Sequence, residues 1–406
     1  MAQGIRHDLH IARRPLLRGG LLSAMAALLS ACTGNLNTLE SPASPQPSAA
    51  TPGATPPPGT QIGTGTTRIA LILPLSAQGN AGIAAQSMKN AAEMAIAEFK
   101  NPDIQLLVKD DAGSPQAAQQ AAQQAIDEGV RLIIGPLFAQ SVSAVGQVAR
   151  PRGIPVIAFS TDANVAAHGV YLLSFLPESD VNRIVSYAVT RGKRAFAAMV
   201  PDNAYGAVVE AAFQQAVARS GGRVVALERY PVTPPSMQEP ARRIAQGAAR
   251  ADAIFIPDNA DNVPQVAAAL QTAGVNLKRV QMLGTGLWDD VKVYSTPSLH
   301  GGWFPAPDRA GFRSFSQRYK TRYNQEPVRT ATLAYDAVAL VAALQKTQGP
   351  GGLTEQALTN PSGFAGIDGV FRFRADGLNE RGLAVMEVTM PDGRVISPAP
   401  RSFGAT

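Results

Sequence analysis

From residue 68 onward, the chain alternates continuous apolar runs with segments of helical periodicity. The apolar runs predict strands that are buried on both faces, and apolar residues spaced three and four apart predict helices. The predicted strands are 69–75, 104–109, 131–135, 154–159, 171–175, 195–200, 223–229, 252–257 and 280–284. The predicted helices are 88–99, 115–128, 140–150, 179–191, 206–219, 237–249, 261–273 and 309–324. Strands joined by helical crossovers form parallel sheets, so two such series predict an α/β protein with two lobes.

Composition narrows the possible partners. The 406 residues carry a formal charge of +6, but four arginines and one aspartate lie in the first 32 residues. The rest of the chain therefore carries about +3, and its basic residues are not interleaved with aromatic ones, which argues against nucleic acid. With one cysteine, the chain cannot be a disulfide scaffold.

The N-terminus has the pattern of an export signal. Residues 1–18 are polar and contain arginines, and the apolar segment 20–31 is much shorter than the roughly 20 residues of a spanning helix. We therefore predict a signal peptide over 1–31. Its end, Leu29-Ser30-Ala31-Cys32, resembles the bacterial lipobox, which implies cleavage before Cys32 and attachment of lipid to the Cys32 thiol.

Residues 32–67 have the composition of a tether. They contain seven prolines, one charged residue and almost no large apolar side chains, so they cannot bury enough surface to fold. In a proline-rich extended form, this segment would reach up to about 100 Å. Thr33 follows the cysteine, and in the lipoprotein sorting pattern this favours the periplasmic face of the outer membrane, with inner-membrane anchoring as the alternative.

Polar loops follow the predicted strands and mark a candidate ligand cleft. In open α/β sheets, ligands bind beyond the carboxyl ends of the strands, and most of these loops lead into a helix. The candidate cleft residues are Ser76, Gln140, Ser141, Ser160, Thr161, Asp162, Tyr205 and Asp258. The alternative role for each is helix capping or turn closure, which such side chains commonly perform.

The order of motifs resembles a known family. The segments IALILPLSAQGNAGIAAQSMKNAAEMAIAEF, VKDDAGSPQAAQQAAQQAIDEGVRLIIGP, IPVIAFSTDANV and VPDNAYG are similar to type I periplasmic binding proteins of the leucine/isoleucine/valine-binding group. The resemblance covers 68–400 and implies two Rossmann-like lobes with parallel sheets and three crossings between them, near Phe175, Phe304 and Gly369. The implied lobes are 68–176 with 305–368, and 177–304 with 369–400.

The resemblance also bears on the cleft. Receptors of this group hold the ligand carboxylate with a serine-rich turn, and here Ala139 and Gln140 stand where serine is expected, with Ser141 next. Tyr205 matches a tyrosine that packs on the ligand, and Asp258 stands roughly where an acidic residue receives the amino group. The match to an amino-acid receptor is therefore partial.

Within the superfamily, the chain most resembles the penicillin-binding-protein activator lipoproteins. The lipobox, the tether and the segments LPLS, IGPLF and IAFSTD agree with that branch. The resemblance implies a lipid-anchored regulator that activates a bifunctional peptidoglycan synthase by protein contact. The alternatives are the solute-binding receptor of an ABC transporter for amino acids or similar small polar molecules, and a structural tether that binds glycan or a peptidoglycan fragment.

Enzyme signatures are absent from the sequence. It has no G-x-S-x-G, P-loop or H-E-x-x-H motif, and its four histidines are scattered. We therefore predict a non-enzymatic protein without a cofactor or metal site. One helix, 309–324, carries a row of arginines that forms either a solvated face or a partner-binding patch: Arg309, Arg313, Arg318 and Arg322.

Overall fold

The computed structural model describes residues 60–232, 236–349 and 351–404. These residues belong to one unit, Pro56–Thr406. The predicted signal peptide, the lipidation candidate Cys32 and the tether up to residue 59 lie outside the described residues.

The first lobe is built on a six-stranded sheet. Its strands are β1 (Gln61–Ile62), β2 (Thr67–Leu73), β3 (Ile104–Asp110), β4 (Leu132–Ile134), β5 (Val156–Ala158) and β6 (Val170–Leu172), and its first three helices are α1 (Asn80–Glu98), α2 (Pro115–Asp127) and α3 (Ala139–Ala149). The strand order is β1-β3-β2-β4-β5-β6, and all pairs are parallel except β1 with β3. Because β1 pairs with this sheet, the fold begins at about residue 60 and takes in the end of the predicted tether.

The second lobe repeats the same construction. Its helices are α4 (Pro177–Thr190), α5 (Ala204–Arg219), α6 (Gln238–Ala248), α7 (Val263–Thr272) and α8 (Val291–Tyr294), and its first strands are β7 (Ala195–Pro201), β8 (Arg223–Tyr230), β9 (Ala253–Phe255), β10 (Gln281–Leu283) and β11 (Trp303–Ala306). Every residue of β7 is buried, as its continuous apolar run predicts. These five strands are parallel to their neighbours within the series.

The chain then returns to the first lobe. Helix α9 (Arg309–Tyr323) packs Phe315 and Tyr319 on α1, and α10 (Ala331–Gln348) covers one face of the first sheet. After the short helix α11 (Glu355–Leu358), a three-stranded antiparallel sheet follows: β12 (Phe364–Gly366), β13 (Gly369–Phe373) and β14 (Asn379–Arg381).

The last two strands, β15 (Ala384–Glu387) and β16 (Arg394–Ser397), complete the second sheet. Its order is β16-β15-β11-β10-β9-β7-β8, with β15 antiparallel to β11. The third crossing therefore lies between Arg381 and Ala384, later than the predicted position near Gly369. The reason is that Phe371 and Phe373 of β13 pack into the core of the first lobe, so this strand belongs to that lobe.

The six-stranded and the seven-stranded sheets are each covered by helices on both faces. In the first lobe, one core lies under α1 and α10, and another lies under α2 and α3. The second lobe likewise has a core on each face of its sheet, and Trp288 is fully buried in one of them. The predicted fold class, an α/β protein with two parallel-rich lobes, is confirmed.

Candidate functional site

A cavity of about 660 Å³ lies where the chain crosses between the lobes. Residues 175–177 of the first crossing, 306–307 of the second, and Arg381 and Leu383 around the third all line it. The second lobe adds Tyr205, at the start of α5, and a loop at residues 286–289. Because all three connections form its wall, any rotation of one lobe against the other changes the shape of this cavity.

Two of the arginines that line the cavity are neutralised by carboxylates. The Arg329 guanidinium makes two hydrogen bonds with Asp368, at 2.9 and 2.5 Å, and it stacks on the ring of Phe175 at 4.7 Å. Arg309 pairs with Asp289 and lies 3.4 Å from Asp392. These pairs fix the guanidinium groups in place while leaving the cavity wall polar.

Arg381 is the most unusual of these arginines. Its side chain is only 7% exposed, between the rings of Phe175 at 4.6 Å and Phe371 at 5.8 Å. Its Nε donates to the Ser174 carbonyl at 3.0 Å, but neither Nη atom has a hydrogen-bond partner in the part of the chain that the structure describes. Burial lowers the pKa of Arg381, because the charged guanidinium has lost its hydration.

One carboxyl group from α4 lines the same cavity, that of Asp180, and a second, that of Glu178, lies two residues earlier on the helix. Asp180 accepts a hydrogen bond from the backbone N–H of Gly286 at 2.8 Å, yet burial raises the pKa of Asp180 to about 7. Burial also raises the pKa of Glu178, and its Oε2 has no partner within the described residues. The cavity wall therefore combines a buried cation, Arg381, with a carboxyl group, Asp180, that burial makes easier to protonate.

Tyr205 is the one predicted cleft residue that lines this cavity. Asn203 caps α5 by accepting from the N–H of Gly206, and this cap fixes Tyr205 in the first turn of the helix. The Tyr205 hydroxyl donates to Thr285 at 3.0 Å, and burial raises its pKa. Its position at the cavity agrees with the predicted role, although no ligand contact tests that role.

The candidates on the first lobe lie elsewhere. Ser76 is exposed, and its backbone N–H donates to Asp110 at 3.3 Å. Gln140 is exposed in the first turn of α3, whereas Ser141 is fully buried and its hydroxyl has no partner among the described residues. Ser141 is therefore closed off from solvent, and it does not line the cavity at the crossings.

The loop after β5 closes on itself. The Ser160 hydroxyl is buried and accepts from the backbone N–H of Asp162 at 3.1 Å. Asp162 is exposed and caps a short helical turn by accepting from the N–H of Asn164 at 3.0 Å, and Thr161 is exposed. Ser160 and Asp162 thus perform turn closure and capping, the alternative role that the sequence left open.

Asp258, like Ser160 and Asp162, uses its side chain in hydrogen bonds within the protein. It is 3% exposed, and it accepts hydrogen bonds from Tyr230 at 2.5 Å, from the side chain of Asn262 at 3.2 Å and from the N–H of Asn259 at 2.7 Å. These donors satisfy both carboxylate oxygens, so Asp258 is held by its own loop and by Tyr230 at the end of β8.

The arginine row on α9 is largely paired. Arg318 binds Glu98 at 3.0 Å and Arg322 binds Glu93 at 3.2 Å, both on α1, and Arg309 binds Asp289. Arg313 is exposed and lines the inter-lobe cavity. The row therefore contributes to lobe packing and to the cavity.

The sequence did not reveal the cavity arginines Arg329 and Arg381. Both lie outside the strand-to-helix loops on which such sites are usually sought. Their signal was weak, because each is the one cation of a segment that is mostly apolar or small, VRTATLAY and ERGLAV, and the second segment also contains Glu380.

Two features are absent from the described ranges. No helix there is long and apolar enough to cross a membrane. No group of three or more His, Cys, Asp or Glu side chains there is arranged to hold a metal ion.

Two α/β lobes joined by three crossings, with a cavity at the crossings, constitute the type I periplasmic binding protein fold. Comparison with known families agrees, since the pattern of the periplasmic binding protein family matches residues 66–394. The chain belongs to this family. Members are typically non-enzymatic, and membership implies a periplasmic location.

Solved structures share the fold at low sequence identity. A putative branched-chain amino acid ABC transporter protein from Rhodospirillum rubrum is 20% identical with a TM-score of 0.72, covering 81% of this chain and 99% of that one. A solute-binding protein from Rhodopseudomonas palustris, in complex with 3,4-dihydroxybenzoic acid, is 19% identical with a TM-score of 0.58, covering 84% and 98%. The leucine-binding protein LivK of Thermotoga maritima is 19% identical with a TM-score of 0.54, covering 82% and 98%.

Among curated proteins, an uncharacterized protein of Rickettsia prowazekii is 20% identical over 220 residues. The alignment spans 52% of this chain and 58% of that protein.

Proposed function

We propose that the protein is a solute-binding receptor that captures a small polar molecule in the cavity between its lobes and presents it to an ABC transporter. The observation that supports this function best is the 660 Å³ cavity whose wall includes all three crossings. A ligand that contacts both lobes there stabilises the closed arrangement by its differential affinity for it.

The lining indicates the kind of solute. Apolar surface from Phe175, Leu176 and Leu287 alternates with the charged groups Arg313 and Asp180. Such a mixture suits a small molecule that has both an apolar body and a charged end, and pockets of this kind bind drug-sized ligands. The structurally similar proteins in complex with 3,4-dihydroxybenzoic acid and benzoate, and the leucine-binding protein, make amino acids and aromatic acids the first solutes to test.

Calorimetric titration of residues 56–406 with leucine, other amino acids and benzoate tests this proposal. Leu287 lines the cavity and is 45% exposed, so Leu287→Trp would fill the space without disturbing a core. We expect this variant to weaken binding at least tenfold. Val291→Trp is the matched control, because Val291 is 66% exposed and outside the cavity lining. Equal affinity in the two variants would refute the cavity as the solute site.

A second candidate function is activation of a bifunctional peptidoglycan synthase by protein contact. The observation that supports this candidate concerns the loops where an amino-acid receptor would hold its ligand. In those loops Ser141 is fully buried, and the Ser160 hydroxyl closes its own turn. A pull-down that recovers a penicillin-binding protein, followed by stimulated glycan polymerisation or crosslinking by residues 56–406, would support this candidate. Tight binding of an amino acid together with no effect on the synthase would contradict it.

A lipid anchor at the N-terminus is compatible with both candidate functions. We propose that Cys32 receives lipid and that the tether holds the lobes away from the outer membrane, as the lipobox-like sequence and proline content support. Two or three acyl chains bind a membrane firmly, whereas one binds only marginally. Metabolic labelling with radioactive palmitate should label the wild type and not Cys32→Ser, and fractionation should place the labelled protein with outer membranes. Equal labelling of the two would contradict this anchor.

A further inference from the structure

A second cavity, of about 780 Å³, lies on the first lobe at the edge of the sheet away from the crossings. It is lined by Arg131, which precedes β4, by residues 150–155 before β5, and by residues 168–169 before β6. These segments stand at the amino ends of parallel strands, whereas the loops toward the other lobe follow the carboxyl ends. The cavity is therefore separate from the candidate solute site.

The lining of this cavity is basic. Arg131, Arg150 and Arg152 are exposed, and none of their three guanidinium groups has a hydrogen bond or ion pair with another described residue. One carboxylate lines the cavity, that of Glu355, and it pairs with His168 at 2.6 Å. Three guanidinium groups thus face a single carboxylate that is already engaged, which leaves a concave surface of net positive charge.

A buried hydroxyl adds a second and independent sign of a ligand. Tyr171 of β6 lines the same cavity, its side chain is fully buried, and its hydroxyl has no hydrogen-bond partner within the described residues. Burial raises the pKa of Tyr171, and the nearby Glu355 carboxylate raises it further. The hydroxyl therefore keeps its proton at neutral pH and can donate it to an acceptor. The Glu355 carboxylate lies close enough to act on the pKa of Tyr171, but no acceptor among the described residues meets hydrogen-bond geometry with this hydroxyl. A buried donor whose hydrogen bond is not made costs free energy, and a ligand oxygen in the cavity would supply the acceptor.

We propose that this cavity binds a phosphoryl group, either on a small soluble molecule or on the headgroup of an anionic lipid. The planar guanidinium group donates in a fork that matches phosphate oxygens, and several arginines together with a hydroxyl donor suit a group with multiple anionic oxygens. The exposed arginines bring the anion in, and the Tyr171 hydroxyl contacts it at the inner wall.

Two binding measurements on residues 56–406 test this inference and distinguish the two sources. Titration with inorganic phosphate and glycerol phosphate measures soluble ligands, and co-sedimentation with phosphatidylglycerol-containing vesicles, against phosphatidylcholine vesicles, measures lipid headgroups. Binding of the soluble phosphates assigns the site to a small molecule, whereas binding of the anionic vesicles alone assigns it to a lipid. Absence of binding at millimolar phosphate and to both vesicles would overturn the inference.

Variants locate the binding. Because Arg131, Arg150 and Arg152 are exposed and unpaired, replacing all three with glutamine should leave the Tm unchanged and weaken binding at least tenfold. Tyr171→Phe removes only the hydroxyl and should weaken binding several-fold. Arg250→Gln, at an exposed arginine of the second lobe, is the matched control and should bind as the wild type does. Unchanged binding by the triple variant would also overturn the inference.

Discussion

The ion pair between Arg329 and Asp368 links the loop before α10 to the turn before β13, beside the inter-lobe cavity. Asp368 is fully buried and accepts two hydrogen bonds from Arg329 and one from Thr332 at 2.6 Å. The Arg329 side chain, by contrast, is 41% exposed. The two residues of the pair therefore differ in the cost of their removal. Loss of the arginine leaves a buried carboxylate without its cation, whereas loss of the aspartate leaves a guanidinium group that can contact water.

This asymmetry predicts the effect of Arg329→Met, which keeps the packing of the side chain on Phe175 and removes its charge. Breaking a buried pair from one side costs about 3–5 kcal/mol, and the partial exposure of Arg329 together with the remaining Thr332 bond places this case at about 3 kcal/mol. At about 2 °C per kcal/mol for a protein of this size, the Tm should fall by about 6 °C.

A double-mutant cycle with Asp368→Asn measures the interaction itself. Asp368→Asn removes the buried charge and keeps an acceptor for Thr332, so the double variant should be more stable than Arg329→Met by about 1–2 kcal/mol. The matched control is Arg394→Met, whose partner Glu387 lies 2.6 Å away in an exposed pair, and it should cost less than about 1 kcal/mol. Thermal unfolding followed by circular dichroism gives all four values. If Arg329→Met costs no more than the control, or if the two changes are additive, the reasoning about the buried charge is wrong.

Three further predictions concern other parts of the fold. Gly284→Ala would place its Cβ 2.2 Å from the buried Trp288 ring, so the Tm of this variant should fall by several degrees. Gly351 has open space around it, so Gly351→Ala should unfold near the wild-type Tm. Equal Tm values for the two variants would contradict this prediction. Burial raises the pKa of Asp180 to about 7 in the folded state, so the protonated form stabilises the fold and this contribution is lost as the pH rises. The Tm difference between the wild type and Asp180→Asn should therefore be highest near pH 4, decline up to about pH 7 and then level off. A Tm difference that grows with pH would contradict the assignment. Ser141→Ala removes a buried hydroxyl without a partner in the described chain, so it should preserve or raise the Tm and leave solute affinity unchanged, and a loss of affinity in calorimetry would restore Ser141 to the solute site.

The elements of the fold could be predicted from the sequence because its signals are local. Buried parallel strands require continuous apolar runs, and the predicted run 195–200 became β7, Ala195–Pro201. The resemblance placed the third crossing near Gly369, too early in the chain, because the local sequence does not say which core the following strand packs on. Contacts of Phe371 and Phe373 with the first lobe decide that, and these contacts depend on the whole fold.

The cavity was harder to predict because its residues come from distant parts of the chain. Tyr205 could be found, since it stands just after a strand, in the first turn of the next helix, where ligands bind in such sheets. Arg329 and Arg381 come together only because α9 and the three-stranded sheet return to the first lobe. Conversely, Ser160 and Asp258 have the residue types of a binding loop, but their hydrogen bonds serve their own turns.

The most direct measurement is a crystal structure of residues 56–406 with a solute that calorimetry has shown to bind. The solute should lie in the cavity at the crossings, in contact with Tyr205 and at least one of the arginines Arg313, Arg329 and Arg381. Solute density at the loops of Ser141 and Ser160, outside that cavity, would contradict the assignment of the solute site.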